Sequence, residues 1–327
     1  MKVIWNLTRL CSWNCLICCV SAIHVNTKQK DTVHTDLARI GEELTLDEKK
    51  IILDDLYNNN VESIDFSGGD LLLREDDIKL IQYASTKFDK SQLSISIPGT
   101  RLSKELIKLL KNYVSSFDFT LDSLKNEVDG SRPNGYSQTA IKAILNCKEE
   151  NIPVSVSTVL KKGNCSIKNL EELHDFLVRN NIESWEILPY YQVGRALDMY
   201  ALAPTESKMN SCISYINNLK ESSKVNISFQ HSLENKINKC VKCNALSRSV
   251  GILPNGTVVS CSWGLKQGCV PINDKFILGH MPNNKFYDIL NSEKSILWNK
   301  NKFKNNIQVC QLEENLNELK CNLKEEY

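Results

Sequence analysis

Lys2-Val3-Ile4-Trp5-Asn6-Leu7-Thr8-Arg9-Leu10-Cys11-Ser12-Trp13-Asn14-Cys15-Leu16-Ile17-Cys18 decides how the rest of the chain is read: a short apolar strand runs straight into three cysteines, spaced by three and then two residues. On a loop, thiolates at that spacing converge on three corners of a [4Fe–4S] cube, whereas a closed cluster takes four cysteines. One iron is left open to a ligand that is not protein. The competing reading is a structural zinc knot, since cysteines two to four residues apart also bind zinc, but such sites draw a second ligand pair from further on. Neighbouring Cys18 and Cys19 would have to turn together onto one tetrahedral ion, and no Cys-x-x-Cys or His-x-x-x-His pair follows for well over a hundred residues. The spacing favours the cluster.

Working outward, strand-like and helix-like runs alternate, which predicts a parallel sheet of βα units. Strands are expected at 2–8, 63–66, 93–97, 117–121, 153–160 and 184–188, with helices at 45–56, 76–86, 103–112, 136–151 and 168–180. Thr45, three before Glu48, makes a capping box at the first of these helices. Six repeats with right-handed crossovers predict an α/β fold, a partial (βα)6 TIM-like barrel whose loops after the strands gather at one face. The regular repeat stops near Ala203-Pro204-Thr205, so residues 1–203 are expected to form the barrel and 204–327 a small cysteine-rich C-terminal domain. The polar stretch Val20 to Glu43 is long for a connection and is expected to be a lid or a loose excursion, with His24 and His34 as solvated side chains.

Forty basic against thirty-nine acidic residues leave a net charge of +1, which gives no field favouring nucleic acid or an anionic membrane. The start, Met1 to Asn6, is too polar for a signal peptide. Thirteen cysteines in a chain without export favour metal ligation over disulfides. No run approaches the roughly eighteen apolar residues of a membrane span. A soluble, cytoplasmic, oxygen-sensitive protein is expected, partnered by neither nucleic acid nor membrane.

Ser67-Gly68-Gly69-Asp70 ends the second strand, where glycines let a backbone approach a ligand at the barrel mouth. Together with the cysteine loop one βα unit upstream, it resembles the signature of the radical S-adenosylmethionine (SAM) superfamily. The resemblance implies that Cys11, Cys15 and Cys18 hold a [4Fe–4S] cluster whose open iron is chelated by the amino and carboxylate groups of SAM. It implies that Ser67, Gly68, Gly69 and Asp70 hold the amino group of SAM, with Asp70 one methylene shorter than the commoner Glu. Ile17 stands where relatives place an aromatic residue against the adenine, and covers the ring as a branched aliphatic. Thr120 and Arg132 match a hydroxyl and an arginine that touch SAM, and Arg195, in Gly194-Arg195-Ala196, is expected to face the same site.

In the back third, Asn255-Gly256 between two apolar runs predicts a two-residue hairpin that returns Cys261 towards Cys243. Cysteine, twelve residues, glycine, four residues and cysteine resemble the opening of SPASM and twitch domains. The dense Cys-x-x-Cys run of a full SPASM pattern does not follow, so the resemblance implies a twitch-like module with one auxiliary [4Fe–4S] cluster. Its ligands are expected among Cys240, Cys243, Cys261 and Cys310, with Cys269 or Cys321 as substitutes; a four-cysteine zinc ribbon is the alternative. Cys147, Cys165 and Cys212 read as buried small hydrophobes, one of which could serve as a hydrogen-atom donor to a substrate radical.

The activity implied is reductive cleavage of SAM to methionine and a 5′-deoxyadenosyl radical that abstracts a substrate hydrogen, fed by an electron donor such as flavodoxin or ferredoxin. The implied substrate is a ribosomal peptide or a protein side chain, or else a small molecule. No peptide-recognition domain is expected ahead of a barrel whose first strand opens at residue 2. Trp5-Asn6-Leu7-Thr8 looks like the radical SAM enzymes that tailor haem and other tetrapyrroles, a rival substrate class. A non-catalytic metal-binding scaffold would hold iron–sulfur or zinc and never cleave SAM.

Overall fold

The computed structural model describes residues 1–26, 28–125, 129–238, 243–304 and 307–325. Seven parallel strands follow one another in sequence order: β1 (Lys2–Thr8), β2 (Ser63–Gly68), β3 (Leu93–Ser96), β4 (Ser116–Thr120), β5 (Val154–Leu160), β6 (Ser184–Pro189) and β7 (Asn226–Phe229). The crossover helices are α2 (Leu46–Asn58), α3 (Glu75–Ala84), α4 (Lys104–Leu110), α5 (Tyr136–Glu149), α6 (Ile167–Arg179) and α7 (Glu206–Lys220), while α1 (Lys30–Arg39) lies in the connection before α2. On the other side of β1, β8 (Ser249–Ile252) pairs in parallel, Lys2 with Ser249 and Trp5 with Ile252, and β9 (Thr257–Val259) and β10 (Ile277–His280) follow antiparallel. The sheet is open, with β10 and β7 at its edges.

Alternation along the strands gives the sheet two unlike sides. One side presents Phe117, Phe119, Val154, Val156, Trp185 and Ile187, all buried with Leu110, Ala140, Ile144, Leu170 and Leu173 of the helices. The side between them carries Asp65, Ser94, Ser96, Asp118, Ser155 and Ser157; Ser94 and Ser96 donate to the two carboxylate oxygens of Asp65 at 2.8 and 2.9 Å. Helices therefore cover the apolar side and leave a polar inner wall, as a partial barrel requires.

Three expectations change. The sheet does not stop with the sixth strand, because β7 adds a further unit after residue 203 and β8 joins β1 directly. Residues 1–203 and 204–327 stay as proposed modules of the sequence, sharing one sheet. The hairpin of β8 and β9 has a three-residue loop: Ile252 pairs with Val258, the Leu253 N–H bonds Thr257 O at 2.9 Å, and Gly256 closes the turn at φ +82°. Val20 to Glu43 includes α1, and Glu43 ties it down. The Glu43 carboxylate, 2% exposed, accepts from the Thr8 hydroxyl at 3.0 Å and the Arg9 N–H at 2.6 Å and pairs with His34 Nδ1 at 2.8 Å. His34 is thus buried rather than solvated. The capping box of Thr45 and Glu48 forms as expected. Among the described residues, no helix is long and apolar enough to cross a membrane.

α2 and α3 are joined by a buried ion pair, Lys49 Nζ to Asp77 Oδ1 at 2.7 Å, whose side chains are 2% and 0% exposed. Removing one partner strands the other charge in the core. Lys49→Met is expected to cost about 3–5 kcal/mol in urea unfolding, and the double change Lys49→Met with Asp77→Leu to recover most of it; equal losses in the two variants would show that the pair is not what holds this contact.

Candidate active site

The cysteine loop is built from the C-terminal end of β1. Leu10–Cys11 forms a two-residue ladder with Ile23–His24, and the Val25 N–H bonds Cys11 O at 3.0 Å, so the loop closes on its own exit. Cys11 and Cys15 are buried and Cys18 is half-buried. Backbone N–H groups point at two of the sulfurs, Trp13 at Cys11 Sγ (3.4 Å) and Ala22 at Cys18 Sγ (3.3 Å). Burial pushes the Cys11 thiol up, the Trp13 N–H opposes this, and Asp70, Cys18 and Cys15 add to the rise. The three thiols lie within electrostatic reach of one another, so thiolates there need a positive centre. The buried Trp13 Nε1 beside them has no hydrogen-bond partner among the described residues. Three soft sulfur donors on one short loop, two of them with backbone N–H groups aimed at them, are chemically suited to an iron–sulfur cluster, although among the described residues no group of three side chains is drawn close enough to hold a single metal ion.

The glycine turn is pressed against this loop. A Cβ on Gly68, at φ +132°, would sit 2.5 Å from Thr8 O, and one on Gly69 would sit 2.2 Å from Leu10 O. The Gly69 N–H bonds Thr8 O at 2.8 Å and the Asp70 N–H bonds Leu10 O at 2.7 Å. Asp70 is fully buried; it accepts from the Leu72 N–H at 3.3 Å and the Ser12 hydroxyl at 3.4 Å, and burial pushes it up to about 6 against these bonds and the charge of Arg101. A carboxylate in that setting suits a cationic ligand. Ser67 is in register with Asn6 beside it, Ile17 is half-buried in the turn before Cys18, and Thr120 ends β4 opposite Ser157.

Two arginines lie near the loop. Arg132 Nε donates to Asp122 Oδ2 at 2.7 Å, its guanidinium lies 4.7 Å from the Tyr136 ring centroid, and the Leu16 N–H bonds Ser131 O at 2.9 Å. Burial raises the Cys15 thiol, and Arg132 lowers it by its charge and by a side-chain hydrogen bond. Arg195, after β6, donates its guanidinium to Cys15 O and Ala22 O and its backbone N–H to Cys18 O (3.0 Å). Its neighbour Gly194, at φ +58°, is the other close approach, since a Cβ there would lie 2.2 Å from Cys19 O.

After the hairpin, Cys261 packs against the same core as Cys243 and within its electrostatic reach. Burial pushes Cys261 up to about 12 and Cys310 up to about 11; Cys243 and Cys310 act on Cys261, and Cys243 acts on Cys310. Cys240 lies outside the described residues, as does the side chain of Cys321 in the C-terminal helix α8 (Gln311–Glu325). Cys269 does not join the rear group: it is packed with Cys11, Val20 and Leu265 near Cys18 and Cys19, because its hairpin, Leu265–Lys266 with Val270–Pro271, folds over the front loop. Cys19 touches both apolar groups, the one around Cys11 and the one around Cys261 and Cys310. Cys147, Cys165 and Cys212 are buried as expected, the last two with sulfurs 3.5 Å apart. Asp122, Lys161 and Glu43 were missed as site-building residues. Asp122, two past Thr120, was within reach of the same strand-end signal, whereas no local signal marks the other two.

Compared with known proteins, residues 5–177 match the radical SAM superfamily and residues 243–315 match SPASM, an iron–sulfur cluster-binding domain. The chain is similar to Fe-coproporphyrin III synthase of Methanosarcina barkeri, 29% identical over 182 residues, covering 55% of this chain and 41% of that protein. It is also similar to PqqA peptide cyclase of Bradyrhizobium diazoefficiens, 26% identical over 200 residues, covering 60% and 52%. The chain spans about half the length of the curated relatives it matches. In fold it is like Streptococcus suis SuiB bound to precursor peptide SuiA, with a TM-score of 0.65 at 15% identity over 90% of this chain and 65% of that one. The chain belongs to the radical SAM superfamily, whose cofactors are a [4Fe–4S] cluster and SAM, and carries a C-terminal SPASM domain for an auxiliary cluster.

Proposed function

We propose that this chain is a peptide-modifying radical SAM enzyme of the reducing cytoplasm, in which Cys11, Cys15 and Cys18 hold the SAM-binding cluster and Cys243, Cys261 and Cys310, with Cys240, hold the auxiliary one. The observation that carries the reading is the pair of separate thiol groups, the front one buried or half-buried and the rear one half-buried, both bordering Cys19. When bound, the front cluster supplies the electron that cleaves SAM to methionine and a 5′-deoxyadenosyl radical able to take a hydrogen atom from substrate; a flavodoxin- or ferredoxin-type donor delivers that electron. The chain's own residues orient and shield. Ser67 and the backbone at Gly68 and Gly69 border the SAM amino group, the Asp70 carboxylate accepts from it, Ile17 covers the adenine and Thr120 offers its hydroxyl. Arg195 acts on the cluster loop, holding three of its carbonyls.

A peptide substrate is supported by the similarity to PqqA peptide cyclase and by the likeness to SuiB, seen with its precursor peptide. A tetrapyrrole is the second reading, favoured by the 29% identity to Fe-coproporphyrin III synthase. Incubation of the reduced enzyme and SAM with candidate precursor peptides and with coproporphyrins separates them: a mass change on the peptide alone supports the first, one on the porphyrin alone the second.

Anaerobic reconstitution with iron and sulfide is expected to load about eight irons per chain, two cubes. Cys15→Ala should drop this to about four and abolish 5′-deoxyadenosine under dithionite, whereas Cys261→Ala should lose the same iron and still cleave SAM. Zinc at the front thiols, or intact SAM in the unaltered protein, contradicts the reading. Asp70→Asn keeps the shape and removes the charge, so SAM affinity measured by titration calorimetry should fall by about 10- to 150-fold, the equivalent of about 1.5–3 kcal/mol for a hydrogen bond to a charged group; unchanged affinity would take Asp70 out of the SAM site.

A further inference from the structure

The polar inner wall of the sheet carries charge that the cluster loop does not use. Residues paired across parallel strands point to the same side, so the register fixes which side chains share this wall. Asp65 of β2 pairs with Ser94, Ser96 of β3 with Asp118 of β4, Asp118 with Ser155, and Ser157 of β5 with Glu186 of β6. Three carboxylates thus stand on alternate strands of one face. Their neighbours on the helix side, Phe66, Phe117 and Trp185, are fully buried, whereas Asp118 is half-buried and Glu186 is exposed. The helices close one side of the sheet, and the carboxylate side stays open to solvent and so to a ligand.

The charge on this wall is not balanced from within. On the inner faces of β1 to β7 the charged residues are Asp65, Asp118, Glu186 and Lys2. Asp65 is satisfied by the hydroxyls of Ser94 and Ser96. Lys2, at the exposed start of β1, is within electrostatic reach of Asp118 and Glu186 but forms no ion pair with either among the described residues. Burial and the charges of Asp65 and Glu186 push Asp118 up to about 7, against the pull of Lys2. A carboxylate raised by its like-charged neighbours gains from a cation brought to it.

Asn6 supplies an independent sign of a missing partner. Its neighbours Trp5 and Leu7 pack in the helix-side core and it is in register with Ser67, so its side chain faces the inner wall, between the level of Asp65, which pairs with Ile4, and the glycine turn. Asn6 is 4% exposed, yet its amide makes no hydrogen bond among the described residues. A buried amide in that state is costly until a group from outside pairs with it. The outside group is not a metal ion, since among the described residues no three carboxylate, thiol or imidazole groups converge closely enough to hold one. Carboxylates spread over three strands, with an amide beyond them, match an extended organic cation.

Resting on the peptide reading above, we infer that the inner wall is a substrate subsite for a basic side chain of the peptide, lysine or arginine, with Asp118 and Glu186 receiving its charge and the Asn6 amide pairing with the peptide backbone. An ammonium or guanidinium group has donors only, which suits carboxylates, and a peptide bond offers the donor and acceptor that an Asn amide complements. The same wall disfavours an anionic substrate such as a porphyrin, whose carboxylates would meet fixed negative charge.

The test titrates two probes, N-acetyl-lysine methylamide and its norleucine counterpart, into the reconstituted holoenzyme with SAM bound, read by saturation-transfer NMR. The norleucine probe keeps the backbone and the aliphatic stem and lacks the charge. The lysine probe should bind at least about tenfold more tightly. Asp118→Asn combined with Glu186→Gln should erase most of that preference, and Asn6→Ala should weaken both probes alike while SAM affinity holds. Glu186→Gln alone, at an exposed position, should lower the preference partway, and it carries the comparison should the double variant fail to load iron. Equal binding of the two probes to the unaltered protein, or binding of neither, overturns the inference, as does a lysine preference that the variants leave untouched. Weakened SAM binding in the variants with the probe ratio unchanged overturns it too and assigns the wall to SAM. Failure of the underlying reading shows elsewhere, as a mass change on a porphyrin alone or as intact SAM under reductant.

Discussion

The carbonyls of Thr8 and Leu10 lie so close to Gly68 and Gly69 that no side chain fits between them, and this backbone contact determines where the cysteine loop leaves the sheet. Parallel pairing of β1 and β2 brings the two strand ends level, and the register irregularity between Asn6 and Thr8 lets residues 68–70 slide over the loop. The N–H groups of Gly69 and Asp70 then take the two carbonyls as acceptors. The glycines thus have a packing reason as well as a ligand reason. A side chain at either position would push the turn off the loop, and with it the Asp70 carboxylate.

Once anchored there, the loop is held from its other sides by residues from later strands. Segment 131–136 after β4 meets it at Leu16 and Trp13, Arg195 after β6 holds its carbonyls, and the hairpin carrying Cys269 covers it from above. The C-terminal helix adds to the enclosure: Leu312 and Leu316 of α8 pack with Val193 and Ile272, in the group that includes Cys19 and Cys261. Every one of these supports enters after the C-terminal end of a strand or from the C-terminal extension. This is the face at which a βα architecture gathers its chemistry.

What could be read from the residues alone was what is local in sequence. The cysteine spacing, the Gly-Gly turn, the capping box at Thr45 and the alternation of strands and helices all lie within short windows, and each has its expected place. What escaped depended on distant partners. Glu43 and His34 sit in a stretch whose polarity reads as solvated, and only the arrival of Thr8 and Arg9 makes burial favourable. Lys161 follows an apolar strand with nothing to mark it, until Asp122, 39 positions earlier, receives it. β7 is four residues long and follows a polar turn, so a further unit after the sixth strand leaves no clear periodicity in the sequence. The hairpin at Asn255-Gly256 is legible in the sequence, but its length depends on which residue takes the left-handed conformation, and Gly256 takes it as the last of three.

The thiols of Cys11, Cys15 and Cys18 have the surroundings of a three-cornered holder, and on the proposed function the fourth corner belongs to SAM. Mössbauer spectra of protein reconstituted with 57Fe and carrying only the front cluster address this directly. The structure predicts that adding SAM alters the signal of a single iron while the thiolate-bound irons stay as they were. A spectrum indifferent to SAM, or four irons equivalent from the outset, would contradict it.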